Sequence, residues 1–136
     1  MAAAFASVQL SVSSKPSSRT ACLVISIEYR LAPEHPLPIA YDGCWTALQW
    51  VVSPNSNGAS NKEPWLSTCA DFDRVYVGGV SAGANLTHNT LMRAGSDALH
   101  GGVKIKGAFL ARPYFWGSNP VGSESKNMEE TENRLR

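Results

Sequence analysis

Residues 74–95 read RVYVGGVSAGANLTHNTLMRAG, and the order of residue types in this stretch decides the fold. Arg74 to Gly79 is a short β-branched run with the pattern of a strand. Ala82 to Arg93 has the character of a helix, with Gly95 placed as its C′ glycine. Between them lies Gly79-Val80-Ser81-Ala82-Gly83. Gly-x-Ser-x-Gly alone recurs by chance in loops that carry Gly and Ser, but between a strand and a helix it reads as a nucleophile elbow. Such a turn is so sharp that the serine takes a strained backbone conformation, with its Oγ directed out of the sheet edge. Strand and helix then approach closely, so Gly79 and Gly83 supply room, and Ala82 and Ala84 keep the next contacts small. The N–H of Ala82 is an expected oxyanion-hole donor, helped by the field of the helix N-terminus.

Outward from the elbow the same alternation repeats. Ala21 to Leu31 (ACLVISIEYRL) opens with a nearly continuous apolar run, as in a strand buried on both faces of a parallel sheet. Pro33, Pro36 and Pro38 exclude regular structure until a helix begins at Ile39. From there to Val52, Ala40, Cys44, Ala47, Leu48 and Val51 share a helical face. Residues 53–64 (SPNSNGASNKEP) are a polar loop, and Gly101-Gly102 breaks the chain before a third strand over Val103 to Ala111. The order β-α-β-α-β predicts an α/β fold: a partial three-layer α/β/α sandwich around a parallel sheet of about three strands. The expected domain spans residues 21–117, between an N-terminal segment (1–20) and a polar C-terminal tail (118–136). Three strands under two helices leave a sheet edge and part of a face uncovered, which favours aggregation or partial melting of the isolated chain.

Composition excludes several functions. The 136 residues carry a formal net charge of +1, too little to attract nucleic acid or an anionic membrane. No apolar run reaches the roughly 20 residues of a membrane-spanning helix. Gly78-Gly79 and Gly101-Gly102 form no phosphate loop, and no metal or nucleotide motif is present, so no cofactor is expected. Cys22, Cys44 and Cys69 follow no metal spacing and read as free thiols of a reducing compartment, which favours the cytoplasm. Met1 to Thr20 contain no acidic residue, many Ala and Ser, and Lys15 and Arg19. Two readings fit that stretch: a transit peptide, with a chloroplast location, or an N-terminus without a targeting role.

A serine nucleophile needs a base. His88 lies seven residues beyond Ser81 on the same helix, about two turns away and out of reach. His100 follows that helix at its far end. His35 sits in the proline-bracketed loop, where a structural role is expected. Asp97 precedes the third strand and Glu124 to Glu132 lie in the tail, so the chain holds no evident acid–base pair for Ser81. Arg30 and Glu34 read as a charged pair that holds the proline loop. Tyr114-Phe115-Trp116 reads as core packing rather than the wall of an acyl pocket.

Several motifs together resemble one family. Glu28-Tyr29-Arg30-Leu31-Ala32-Pro33-Glu34-His35-Pro36-Leu37-Pro38 is similar to the segment after a core strand in the hormone-sensitive-lipase-like branch of the α/β-hydrolases. Val80-Ser81-Ala82-Gly83-Ala84-Asn85, with His88-Asn89 and Met92-Arg93-Ala94-Gly95, resembles the elbow helix of plant carboxylesterases and their gibberellin-receptor relatives. Pro113-Tyr114-Phe115-Trp116-Gly117 resembles the segment after their next strand. The resemblance runs from about Val24 to about Glu132. It implies a serine carboxylic-ester hydrolase that takes a small-molecule ester and forms an acyl-enzyme on Ser81. A non-catalytic, hormone-binding relative is the alternative. Departures bear on competence: Val80 stands where this branch usually has Asp. The family's His-Gly-Gly-Gly loop and its triad acid and histidine have no counterpart here, as in a fragment of a longer enzyme, a truncated gene model or a pseudogene product.

Overall fold

The computed structural model describes residues 8–14, 22–53 and 64–115. Strand β1 (Val8–Ser14) and strand β2 (Cys22–Ile27) precede helix α1 (Ile39–Val52) and the short helix α2 (Pro64–Cys69). Strand β3 (Ala70–Val80) leads through the elbow into helix α3 (Ala82–Ser96), a 3₁₀ turn at His100–Gly102 and strand β4 (Ile105–Ala111). The four strands form one sheet in the order β2-β1-β3-β4. β3 and β4 pair in parallel, Gly78 opposite Phe109 and Val80 opposite Ala111.

The α/β class and the three expected strands are present, all running in one direction. The sheet gains a fourth strand that composition alone did not suggest. β1 lies between β2 and β3 and is antiparallel to both, Leu10 pairing with Ile25 on one side and Val77 on the other. The pairing makes the sheet mixed, and it draws residues 8–14 into the sheet although the stretch Met1 to Thr20 reads as a separate segment. The signal was available in VQLSVSS, where Val8, Leu10 and Val12 alternate with Gln9, Ser11 and Ser13.

One face of the sheet carries the core. Leu48, Val51 and Val52 of α1 meet Val75 and Val77 of β3, Leu66 of α2 and Leu99, with Leu23 and Ile25 of β2 and Leu91 of α3 packed against them. Both long helices therefore lie on the same face. The opposite face is open among the described residues, and Val24, Tyr76 and Phe109 are 53%, 44% and 66% exposed there. Among the described residues the helices cover one face of the sheet, and β2 and β4 are its edge strands.

Polar contacts tie α1 to the end of α3. Arg93 lies 4.8 Å over the Trp45 ring, donates from Nη1 to Asp42 at 3.0 Å and from Nε to Asp97 at 3.2 Å. These groups are largely exposed, so the ion pairs add little and the arginine acts mainly by covering Trp45. Gln49 of α1 donates to the Ala98 carbonyl at 3.2 Å and accepts from the His100 N–H at 3.0 Å. α3 runs one residue past Gly95, which is not left-handed. The helix stops at Asp97, whose backbone is extended (φ −106°, ψ 127°) and whose N–H donates to the Arg93 carbonyl. Left-handed glycines occur instead at Gly101 and Gly102, with φ of 69° and 68°. Among the described residues no helix is long and apolar enough to cross a membrane. The loop at 54–63 and the tail beyond 115 lie outside the described residues.

Cys44 is fully buried and Cys69 exposed, both as free thiols; the side chain of Cys22 lies outside the described residues. Burial pushes the Cys44 thiol up to about 11. The folded state therefore holds the proton more tightly than the unfolded chain. Stability is full below the unfolded thiol's ordinary value near 9 and declines as pH rises from there toward 11. The melting temperature is expected to fall over that interval, and to fall less in Cys44→Ala. In native protein at pH 8, peptide mapping after alkylation should find Cys69 modified and Cys44 protected until denaturant is added.

Candidate active site

Ser81 has φ 54° and ψ −118°, a conformation that side-chain-bearing residues rarely adopt. It is held from three directions. Its N–H donates to the Ala111 carbonyl of β4 at 3.0 Å, and its carbonyl accepts from Ala84, Asn85 and Tyr114 N–H groups at 3.1, 3.2 and 3.1 Å. The Tyr114 bond requires the chain to turn back immediately after β4, and Arg112 does so with φ 45°. Two non-glycine residues with positive φ thus face each other across the β3–β4 ends. The role of Arg112 was not read from the sequence; its signal is the Arg-Pro step directly after an apolar strand.

A Cβ on Gly79 would collide with the backbone of Gly83 and lie 2.8 Å from the Ala84 nitrogen. Gly83 and Ala84 are buried, whereas Ser81 and Ala82 are exposed. The Ala82 N–H is in the first turn of α3, where backbone donors have no intrahelical acceptor. The position suits an oxyanion donor beside Ser81.

A cavity of about 260 Å³ opens next to Ala82. The proline loop forms one wall through Tyr29, Leu31 and Leu37, while α1 and α3 supply Tyr41, Asn85 and Leu86. Its walls are mainly aromatic and aliphatic. Tyr41 Oη donates to Asn85 Oδ1 at 3.0 Å, and Asn89 Nδ2 donates to the same oxygen at 3.2 Å and to the Asn85 carbonyl at 3.0 Å. The Tyr29 phenol is raised above its usual value, first by burial and then by the neighbouring Cys44 thiol.

The histidines separate as the spacing indicates, with one addition. His88 is half-buried and its ring meets Phe115 edge-on at 5.0 Å. His100 sits beyond the far end of α3. His35 makes a turn bond, its N–H donating to the Leu31 carbonyl at 2.9 Å, and the residue belongs to the cavity lining. Asp97 is engaged with Arg93, and Glu124 to Glu132 lie outside the described residues. No group of three metal-ligating side chains occurs among the described residues.

Two expectations are corrected. Arg30 and Glu34 form no ion pair with each other: both are exposed, and the proline loop is held by its backbone while Arg30 borders the cavity. Tyr114 and Phe115 are not core residues, being 54% and 47% exposed. The Arg112 turn carries them out of the sheet, and Tyr114 becomes a cavity wall. Trp116 lies outside the described residues.

Residues 6–135 match the family described as alpha/beta hydrolase fold. A protein of Glycyrrhiza echinata named 2-hydroxyisoflavanone dehydratase is 54% identical over 110 residues, 79% of this chain and 34% of its own. Catharanthine synthase of Catharanthus roseus is 55% identical over 104 residues, 72% of this chain and 32% of its own. Probable carboxylesterase 3 of Arabidopsis thaliana is 42% identical over 114 residues, 84% of this chain and 33% of its own. The chain spans about a third of the length of these relatives.

The elbow geometry has two opposite consequences for stability. Gly79→Ala should destabilise the protein by about 2–3 kcal/mol, because both the colliding partner and its neighbours are backbone. Ser81→Gly should stabilise it by about 1 kcal/mol, since relief of positive-φ strain exceeds the entropy that glycine adds to the unfolded chain. Urea denaturation of the two variants checks both signs.

Proposed function

The chain belongs to the α/β-hydrolase fold family, and from that premise we propose that it carries the nucleophile half of a serine carboxylic-ester hydrolase site, with Ser81 as the nucleophile. The supporting observation is the strained, exposed Ser81 at the N-terminus of α3, pinned to β4 and next to an apolar cavity. In this reading the Ser81 Oγ attacks the carbonyl carbon of a small-molecule ester. The carbonyl oxygen gains negative charge and accepts a hydrogen bond from the Ala82 N–H. The bond to the alcohol then breaks, the alcohol leaves with a proton, and water hydrolyses the acyl-enzyme. Attack needs a base for the Ser81 proton. Of the three histidines, His35 belongs to the cavity lining, and His88 and His100 do not.

A second reading follows from the relatives. A protein named as a dehydratase and another named as a synthase share more identity with this chain than the carboxylesterase above does. The same elbow and cavity would then hold a substrate for elimination or rearrangement, with Ser81 binding rather than attacking. A covalent probe distinguishes the two. A fluorophosphonate incubated with the natural protein is expected to modify the peptide containing Ser81, and Ser81→Ala should abolish the label. A folded protein that takes no label at Ser81 would remove the hydrolase reading.

A further inference from the structure

Asn85 combines three features that the elbow chemistry does not use. It borders the cavity, it lies one helical turn beyond Ser81, and its side-chain oxygen is already satisfied. Oδ1 accepts from both Tyr41 Oη and Asn89 Nδ2, which fixes the orientation of the amide. The opposite end, Nδ2, has no protein partner among the described residues. No buried side-chain nitrogen or oxygen there lacks a hydrogen bond, so Nδ2 is accessible rather than sealed in the core. The residue is half-buried between α1 and α3 and contributes to the cavity wall. An accessible amide donor thus belongs to a residue of the cavity wall.

We propose that Asn85 is a specificity-determining residue of this site, selecting neutral ligands with an aryl or alicyclic body and an acceptor oxygen such as a carbonyl. The walls explain the first part of that class. Tyr29, Leu31, Tyr41, Leu86 and Tyr114 give apolar and aromatic surface, which binds by area and tolerates variation in shape. The amide explains the second. A donor held by two bonds loses no rotamer freedom on binding, so it discriminates between an acceptor and a methylene at the same place. A helix rises about 6 Å over four residues, so the selected oxygen would lie about one turn from the Ser81 backbone. Calling this ligand a substrate rests on the reading of Ser81 as nucleophile; the binding preference does not.

The test uses two probes of one shape, acetophenone and α-methylstyrene, in which a carbonyl oxygen is replaced by a methylene. Their dissociation constants are measured by tryptophan fluorescence or NMR titration for the natural protein and for Asn85→Asp. That variant keeps acceptors for Tyr41 and Asn89 but has no donor. The ratio of the two constants is expected to favour the ketone roughly five- to tenfold more in the natural protein than in the variant. In the natural protein the side-chain ¹⁵NH₂ signal of Asn85 should shift with acetophenone and stay in place with α-methylstyrene, a measurement that needs no variant to fold. An unchanged ratio, or an Asn85 signal that responds equally to both probes, overturns the proposal. Neither outcome depends on fluorophosphonate labelling of Ser81, so failure of one reading is distinguishable from failure of the other.

Discussion

At the end of β3 the backbone of Gly79 lies directly against that of Gly83, with no side chain between strand and helix. This contact lets α3 leave the sheet at the angle that places Leu86 and Leu91 over the strands and Ser81 at the tip. Close packing leaves no alternative, because an interior at crystal-like density cannot accept a methyl group between two backbones. The strain at Ser81 persists because several hydrogen bonds fix it from both sides. Without them the residue would relax toward ordinary backbone space.

The cavity depends on the same crossing. α3 starts at the sheet edge, and the proline loop after β2 is carried back over it by α1. Tyr41 on α1 and Asn85 on α3 then meet through a hydrogen bond across 44 residues of sequence. The bond joins the wall of the cavity to the helix that begins with the candidate nucleophile. At the other end of the same helix pair, Arg93 bridges Asp42, Asp97 and the Trp45 ring. Polar contacts thus lie at both ends of the α1–α3 helix pair.

Among the described residues, one face of the four-stranded sheet is left uncovered. Tyr76 and Phe109 present aromatic surface to solvent, and β4 is an edge strand among the described residues. Exposed apolar area of this kind favours association, since each side chain left in water forgoes the stabilisation of burial.

Much was legible along the chain because it depends on neighbours in sequence. The span Ile39–Val52 was readable from apolar spacing after three prolines, and the elbow from small residues at fixed offsets around Ser81. Free thiols at Cys44 and Cys69 followed from cysteine spacing. Other features were set by contacts between distant segments. The alternation in Val8–Ser14 is a weak local signal, and β1 acquires its place only from partners on both sides, β2 and β3. Gly95 has the composition of a helix stop, yet α3 ends at Asp97, whose extended backbone donates its N–H to the Arg93 carbonyl. The aromatic run Tyr114-Phe115 has the composition of a core, yet the positive φ of Arg112 turns it outward. The sequence by itself determined the α/β class and the position of the candidate nucleophile, since periodicity and steric allowance act over a few residues. Only the tertiary structure decided which groups line the cavity beside Ala82, because Asn85, Tyr41, His35 and Tyr114 meet there through the packing of helices and loops.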